Sequence, residues 1–234
     1  MLGSLVSDVF LMVVCYAYVL TIIVVSGKIE KTLNISRKAS RKFLHVMIGN
    51  LPFVIPFFTL TVFPALVAAP FIVVTFLASP YSPFKALENR MKDLADITEE
   101  GHKLGLIFYA ISYTCLASLF APRPYIIAAG VLPMAYGDAA ASIVGEKWGR
   151  VKYRVVANKS LEGSAAMFLF SFASLAVGLV FFSTLYHFVF TSKIVVLLAA
   201  AAVATVVEGF SPMGFDNLTI PAASALIFLL FGGF

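Results

Sequence analysis

The chain has 234 residues, of which 61% are hydrophobic and only 12% charged, with a mean hydropathy of +0.97. A soluble domain of this size carries about 25% charged residues, so the composition excludes one and predicts a polytopic membrane protein. The net charge of +5 is no sign of a nucleic-acid partner, because the Lys and Arg residues fall in short loops between apolar runs.

A hydrocarbon core takes roughly 20 apolar residues per helix. That ruler predicts an all-α protein of about eight transmembrane helices near 5–26, 43–60, 62–80, 104–121, 124–146, 163–186, 193–210 and 217–234. The first run has neither a basic residue before it nor a clear small-residue cleavage site after it, so no cleavable signal peptide is expected. Cys15 and Cys115 both lie in apolar runs and read as small hydrophobes, with no disulfide framework or CxxC metal signature. The basic stretch 28–42 follows span 1 and is a candidate interfacial helix. Spans 2 and 3 come from one stretch, 43–84, that lacks Lys, Arg, Asp and Glu and is kinked by Pro52, Pro56, Pro64 and Pro70. Segment 85–103 mixes Glu88, Asp93, Asp96, Glu99 and Glu100 with basic residues and is expected to be solvated, a second candidate interfacial helix.

Span 5 carries the first chemistry-bearing pattern. Gly137, Ala141 and Gly145 fall four apart, a small-residue seam that lets another helix approach closely. Asp138 and Ser142 form the adjacent stripe. An ionisable group at membrane depth is costly and by default marks a functional site, although Asp138 would also serve as a polar partner for a neighbouring helix. The loop 146–160 is dense in bases, and Asn158-Lys159-Ser160 precedes Glu162 and Gly163 where the next helix begins. Free N–H groups at a helix start favour anions, so this is a candidate phosphate cradle. No GxxxxGK[ST] motif occurs, which excludes a P-loop protein.

Glu208 ends span 7 and Asp216-Asn217 opens span 8. Two carboxylates and an amide flanking a short loop suit a hard cation such as Mg²⁺; alternatively Asp216 only caps its helix. His45 stands just inside span 2, where a structural hydrogen-bonding role competes with a catalytic one. His102 and His187 carry weaker signals, and nothing has zinc-ligand spacing. Fifteen of the seventeen Lys and Arg residues lie in odd-numbered loops, which puts those loops in the cytoplasm and both termini outside.

Four blocks carry a family resemblance. RKFLHVMIG (41–49), GDAAASIVGEKWG followed by NKSLEGS (137–164), VVEGFSPMGFDNLTIP (206–221) and, more weakly, EEGHKLGLIFYAIS (99–112) resemble, in order, the motifs of the dolichol kinase and phytol kinase superfamily of membrane lipid-alcohol kinases. Glu162 before Gly163 is closer to the dolichol kinases, whereas the compact length is closer to the prokaryotic and phytol-type form. The resemblance implies one membrane-embedded kinase domain over 1–234 that transfers the γ-phosphate of CTP to an isoprenoid alcohol. The active site would face the cytoplasm from a cell or endoplasmic-reticulum-type membrane, with membrane lipids around it and no nucleic acid.

Under that resemblance Asp138, Glu208, Asp216 and Asn217 would hold Mg²⁺. Lys159 and Arg154 would neutralise the triphosphate, and Ser142, Gly145, Asn158 and Ser160 would line the nucleotide site. One of His45, Asp138 or Glu162 would accept the alcohol proton. Rival readings are a CDP-lipid synthase, a CTP-dependent diacylglycerol kinase and, from another class, a transporter; no inverted repeat supports the last. Which alcohol is used and the oligomeric state are left open by the sequence.

Overall fold

The computed structural model describes residues 2–33, 36–84, 104–212 and 214–232. The polar segment 85–103, with His102 and the start of the 99–112 block, lies outside the described residues. The fold is all-α apart from one short hairpin.

Helix α1 (Leu2–Leu33) is 32 residues long and turns most of its apolar side chains outward, with Val6 and Phe10 more than 60% exposed. Such a face is stable only against lipid. A few polar struts tie α1 to the rest. The buried Asp8 carboxylate accepts the Thr59 N–H (2.9 Å), the Thr59 hydroxyl (2.8 Å) and the Leu60 N–H (2.8 Å), and Tyr18 donates to the Met47 carbonyl. An acid inside the first span is therefore fully used in joining two elements.

The continuous span expected over 43–60 is not formed. Helix α2 (Arg37–Ile48) starts six residues earlier, with the Ser36 hydroxyl accepting the Ala39 N–H, and ends before two 3-10 turns, Leu51–Phe53 and Ile55–Phe57. Pro52 and Pro56 each stand at the start of one of these turns. Proline supplies no N–H and clashes with the preceding turn, so two prolines four residues apart favour ending the helix here. The early start also means that 37–42 is the first half of α2 and that 28–33 continues α1, so 28–42 is not a separate interfacial helix.

The other boundaries fall close to the expected ones: α3 (Phe63–Leu77), α4 (Gly105–Phe120), α5 (Pro124–Leu132), α6 (Asp138–Lys147), α7 (Leu161–Tyr186), α8 (Ile194–Phe210) and α9 (Asp216–Phe231). Among the described residues, four helices are long and apolar enough to cross a membrane: α1, the α5–α6 rod, α7 and Thr191–Phe210. Helices α3, α4 and α9 are apolar but of 15 or 16 residues. At 1.5 Å per residue they reach about 24 Å, short of a core of about 30 Å.

The α5–α6 rod is the axis of the bundle. Every residue of α5 is buried, and α4, α7 and α9 pack around it. Between its two halves, Pro133–Gly137 is a π-helical turn in which the Asp138 N–H bonds back to the Pro133 carbonyl. The small-residue seam packs on α7: a Cβ on Gly137 would meet the Ser171 hydroxyl at 2.1 Å, and one on Gly163 would meet the Ala141 carbonyl at 3.0 Å and Gly145 Cα at 3.2 Å. Glycine at these positions lets α6 and α7 approach almost backbone to backbone. The expected loop between them is an antiparallel hairpin, β1 (Lys152–Arg154) and β2 (Asn158–Ser160).

Candidate active site

At one end of the bundle, α2, α6, the hairpin, α7, α8 and α9 enclose a polar cleft of about 470 Å³. Its walls include Lys38, Arg41, Lys42, Lys152 and Lys159 against Asp138, Glu146, Glu208 and Asp216, so five cationic side chains face four acidic ones. These residues come from sequence positions 38 to 216. Only the fold brings them together.

Each element delivers its groups for a local reason. The π turn ends at Gly137, so Asp138 begins α6 with its buried carboxylate turned to α2, where Lys42 forms an ion pair with it. Both side chains are 8% exposed. Neither charge would be tolerable alone at that depth, and the pair is the reason both persist. The β2 strand carries Lys159 to Glu208, near the end of α8, in a second ion pair. Burial alone would lower the Lys159 pKa. The Glu208 carboxylate and its hydrogen bond, with the fields of Asp138 and Asp216, outweigh that and hold the ammonium above its ordinary range. Lys159 is therefore charged at any pH near neutral. A third pair, Lys38–Glu146 (2.7 Å), joins α2 to the end of α6 across the mouth of the cleft; both side chains are well exposed, so it adds little stability.

Ser160 is the N-cap of α7, its hydroxyl accepting the Gly163 N–H at 3.1 Å. The hairpin is tied down by Lys152 donating to the Gly145 carbonyl (3.0 Å) and by the Tyr153–Ser164 hydroxyl pair (2.6 Å). Asp216 is not the N-cap of α9. It stands one residue further in, its Oδ1 accepting the Asn217 N–H (2.9 Å) and the Asn217 amide (3.2 Å). Asn217 also donates to the Gly214 carbonyl, which fixes the amide, and its Oδ1 is left buried with no hydrogen-bond partner. An orphaned buried oxygen beside a carboxylate is what a hard cation would use. The donor set of Asp138, Glu208, Asp216 and Asn217 Oδ1 thus fits Mg²⁺ in its chemistry. Among the described residues, however, no three His, Cys, Asp or Glu groups are already drawn together to hold a metal. Two of the three carboxylates are engaged by lysines.

The cleft gathers Asp138, Ser142, Gly145, Asn158, Lys159, Ser160, Glu208 and Asp216 from the residues that the sequence singles out. Four others lie outside its walls, among them Asn217, the chain neighbour of Asp216. Glu162 accepts the Val151 N–H (3.2 Å) and pins the base of the hairpin. Arg154, opposite Asn158 in the hairpin, is exposed. His45 is buried, edge-on to the Tyr109 ring at 4.9 Å, and its carbonyl accepts the Tyr109 hydroxyl. Conversely, Lys38, Arg41, Lys42 and Lys152 line the cleft, although topology alone accounts for them in the sequence. The available signal was the adjacent Arg41-Lys42 pair at the edge of an apolar run, within the RKFLHVMIG block.

Similar proteins were found among curated sequences. The chain is 41% identical over 146 residues to the phytol kinase of Synechocystis sp., a match covering 60% of each protein. It is 34% identical over 145 residues to the probable chloroplastic phytol kinase of Triticum aestivum, covering 58% of this chain and 48% of that one. Over 209 residues it is 29% identical to the chloroplastic phytol kinase 1 of Arabidopsis thaliana, covering 85% of this chain and 68% of the relative. The match therefore spans less than two-thirds of the first two relatives' length. No protein-family model and no solved structure matches the chain.

Proposed function

We propose that this chain, similar to phytol kinases over more than half of its length, is a member of their family and phosphorylates a prenol-type lipid alcohol. The observation that carries this reading is the charged cleft at the end of an apolar bundle, where buried Lys42 and half-buried Lys159 face Asp138, Glu208 and Asp216. Phosphoryl transfer needs mainly positioning and charge neutralisation, and this cleft offers both beside the bilayer. CTP as donor rests on the motif resemblance, and a cytoplasmic site rests on the segregation of basic residues.

In the proposed reaction the alcohol oxygen attacks the terminal phosphorus, the bond to the bridging oxygen breaks, and a nucleoside diphosphate leaves. Lys42 and Lys159 exchange their carboxylate partners for phosphate oxygens, with Arg41 and Lys152 adding positive charge along the cleft. Asp138, released from Lys42, accepts the alcohol proton; of the three candidate bases, it is the one in the cleft wall. With Asp138 given to the proton, the other three of that donor set, Asp216, Glu208 and Asn217, would hold Mg²⁺, which when bound neutralises the phosphates as charge shifts between them.

Purified full-length protein in detergent, given CTP or ATP with Mg²⁺ and a panel of phytol, geranylgeraniol, dolichol and diacylglycerol, should yield a prenyl monophosphate and CDP. Release of pyrophosphate would indicate a nucleotidyltransferase instead. Phosphorylation of diacylglycerol alone would move the acceptor to another class. For orientation, cysteines introduced at 147–157 and at 122–123 should label from opposite sides of the membrane; labelling from the same side would overturn the cytoplasmic assignment.

A further inference from the structure

Besides the polar cleft, the bundle has an apolar groove of about 300 Å³ between α4 and α9. Its walls are two facing helical stripes, Ser112, Cys115 and Leu119 on α4 and Leu218, Ala222 and Leu229 on α9. From Leu218 to Leu229 the groove follows eleven residues of helix, about 16 Å. Two smaller apolar cavities, of about 50 and 10 Å³, have no room for a hydrocarbon chain. Leu119 and Leu229 are exposed, so the groove opens sideways to the bilayer.

One end of this groove lies beside Asn217, one residue along the chain from the cleft wall. Pro221 has no N–H, so the Asn217 carbonyl one turn earlier lacks its helical donor; the Ser112 hydroxyl supplies one at 2.6 Å. Ser112 is the polar head of an otherwise apolar channel, and it touches the residue next to Asp216 in the cleft wall. Small side chains at Cys115, Ala222 and Ala225 alternate with leucines, which leaves notches along the channel suited to methyl branches.

We propose that this groove holds the branched isoprenoid chain of the acceptor alcohol, with its hydroxyl at the Ser112 end beside Asp216 and Asn217. The assignment rests on the kinase reading for the identity of the ligand. Entry is lateral, from the membrane, and no helix need part to admit the chain.

Cys115 makes the test direct: its thiol is exposed in the groove, and Cys15, the other cysteine, is buried. Labelling of the detergent-purified protein by N-ethylmaleimide is followed by intact mass, with geranylgeraniol or hexadecanol added. Geranylgeraniol at tenfold its half-saturating concentration should slow Cys115 labelling about tenfold, and hexadecanol should not. Ala222 is exposed on the lipid side, so Ala222→Trp should fold. It should abolish the protection and raise KM for geranylgeraniol by a larger factor than KM for the short prenol geraniol. Equal protection by hexadecanol would mean a generic lipid groove and would overturn the proposal. A Cys115 that never labels, as when a second copy of the chain covers the groove, would overturn it too. Turnover of prenols without protection refutes the groove and spares the kinase; protection without turnover does the reverse.

Discussion

Lys42→Met is expected to lower the yield of folded, extractable protein sharply, and adding Asp138→Asn is expected to restore the fold without restoring turnover. Lys42 and Asp138 form a buried ion pair with 8% of each side chain exposed. Removing one partner leaves a buried uncompensated charge, which costs about 3–5 kcal/mol. Removing both charges is close to neutral for stability, since an apolar side chain beside an amide needs no counter-charge. Catalysis responds differently. If Asp138 takes the alcohol proton and Lys42 meets the phosphates, the double variant has lost both functions however well it folds. Thermal stability and turnover measured on the two single variants and the double variant separate these effects. A double variant with near-normal turnover would make the pair purely structural, a polar contact between two helices.

Asp216→Ala is expected to reduce kcat by about 100- to 1,000-fold, the range seen when one group that stabilises developing charge is removed. It should also raise the Mg²⁺ concentration needed for half-maximal rate. A carboxylate serving only its own helix start would cost about 0.5–2 kcal/mol of stability and leave metal dependence alone. Among the described residues Asp216 hydrogen-bonds only to Asn217, its neighbour, and beside it lies the unpartnered Asn217 oxygen. That pairing is too local to explain a carboxylate only 8% exposed. Lys159→Ala is the contrasting variant: a cation that neutralises phosphates acts already in the ground state, so KM for the nucleotide should rise more than kcat falls. An unchanged Mg²⁺ titration with normal turnover in Asp216→Ala would place the metal elsewhere.

Much of this was legible in the sequence, because the bilayer imposes a simple rule on composition. Long apolar runs gave the helix boundaries of α5–α6 and α7 nearly to the residue, and Asp138, Lys159 and Asp216 stood out as polar groups against that background. What escaped had a common cause: it depended on contacts between distant segments. Lys42 looks like any topology-setting base until α2 is laid against α6. Asp8 looks like an oddity of the first span until Thr59 and Leu60 close over it. Pro52 and Pro56 announced a kink, but whether the chain bends and continues or ends its helix depends on what packs behind it. Glu162 is a different case: a carboxylate at a helix start beside a phosphate cradle also holds the Val151 N–H, a contact that its position in the sequence does not announce.

The π turn at Pro133–Gly137 has a consequence for how this chain tolerates insertions and deletions. A π turn holds one residue more than the α-helical turn it replaces. Deleting a single residue there would let the hydrogen bonds close into regular α-helix, and each residue of α6 would turn by about 100° relative to α5. Asp138 would leave Lys42, Gly145 would leave Gly163, and an apolar face would swing into the cleft. The rod would be a better helix and the protein a dead one. The extra residue thus sets the rotation that turns Asp138 into the cleft.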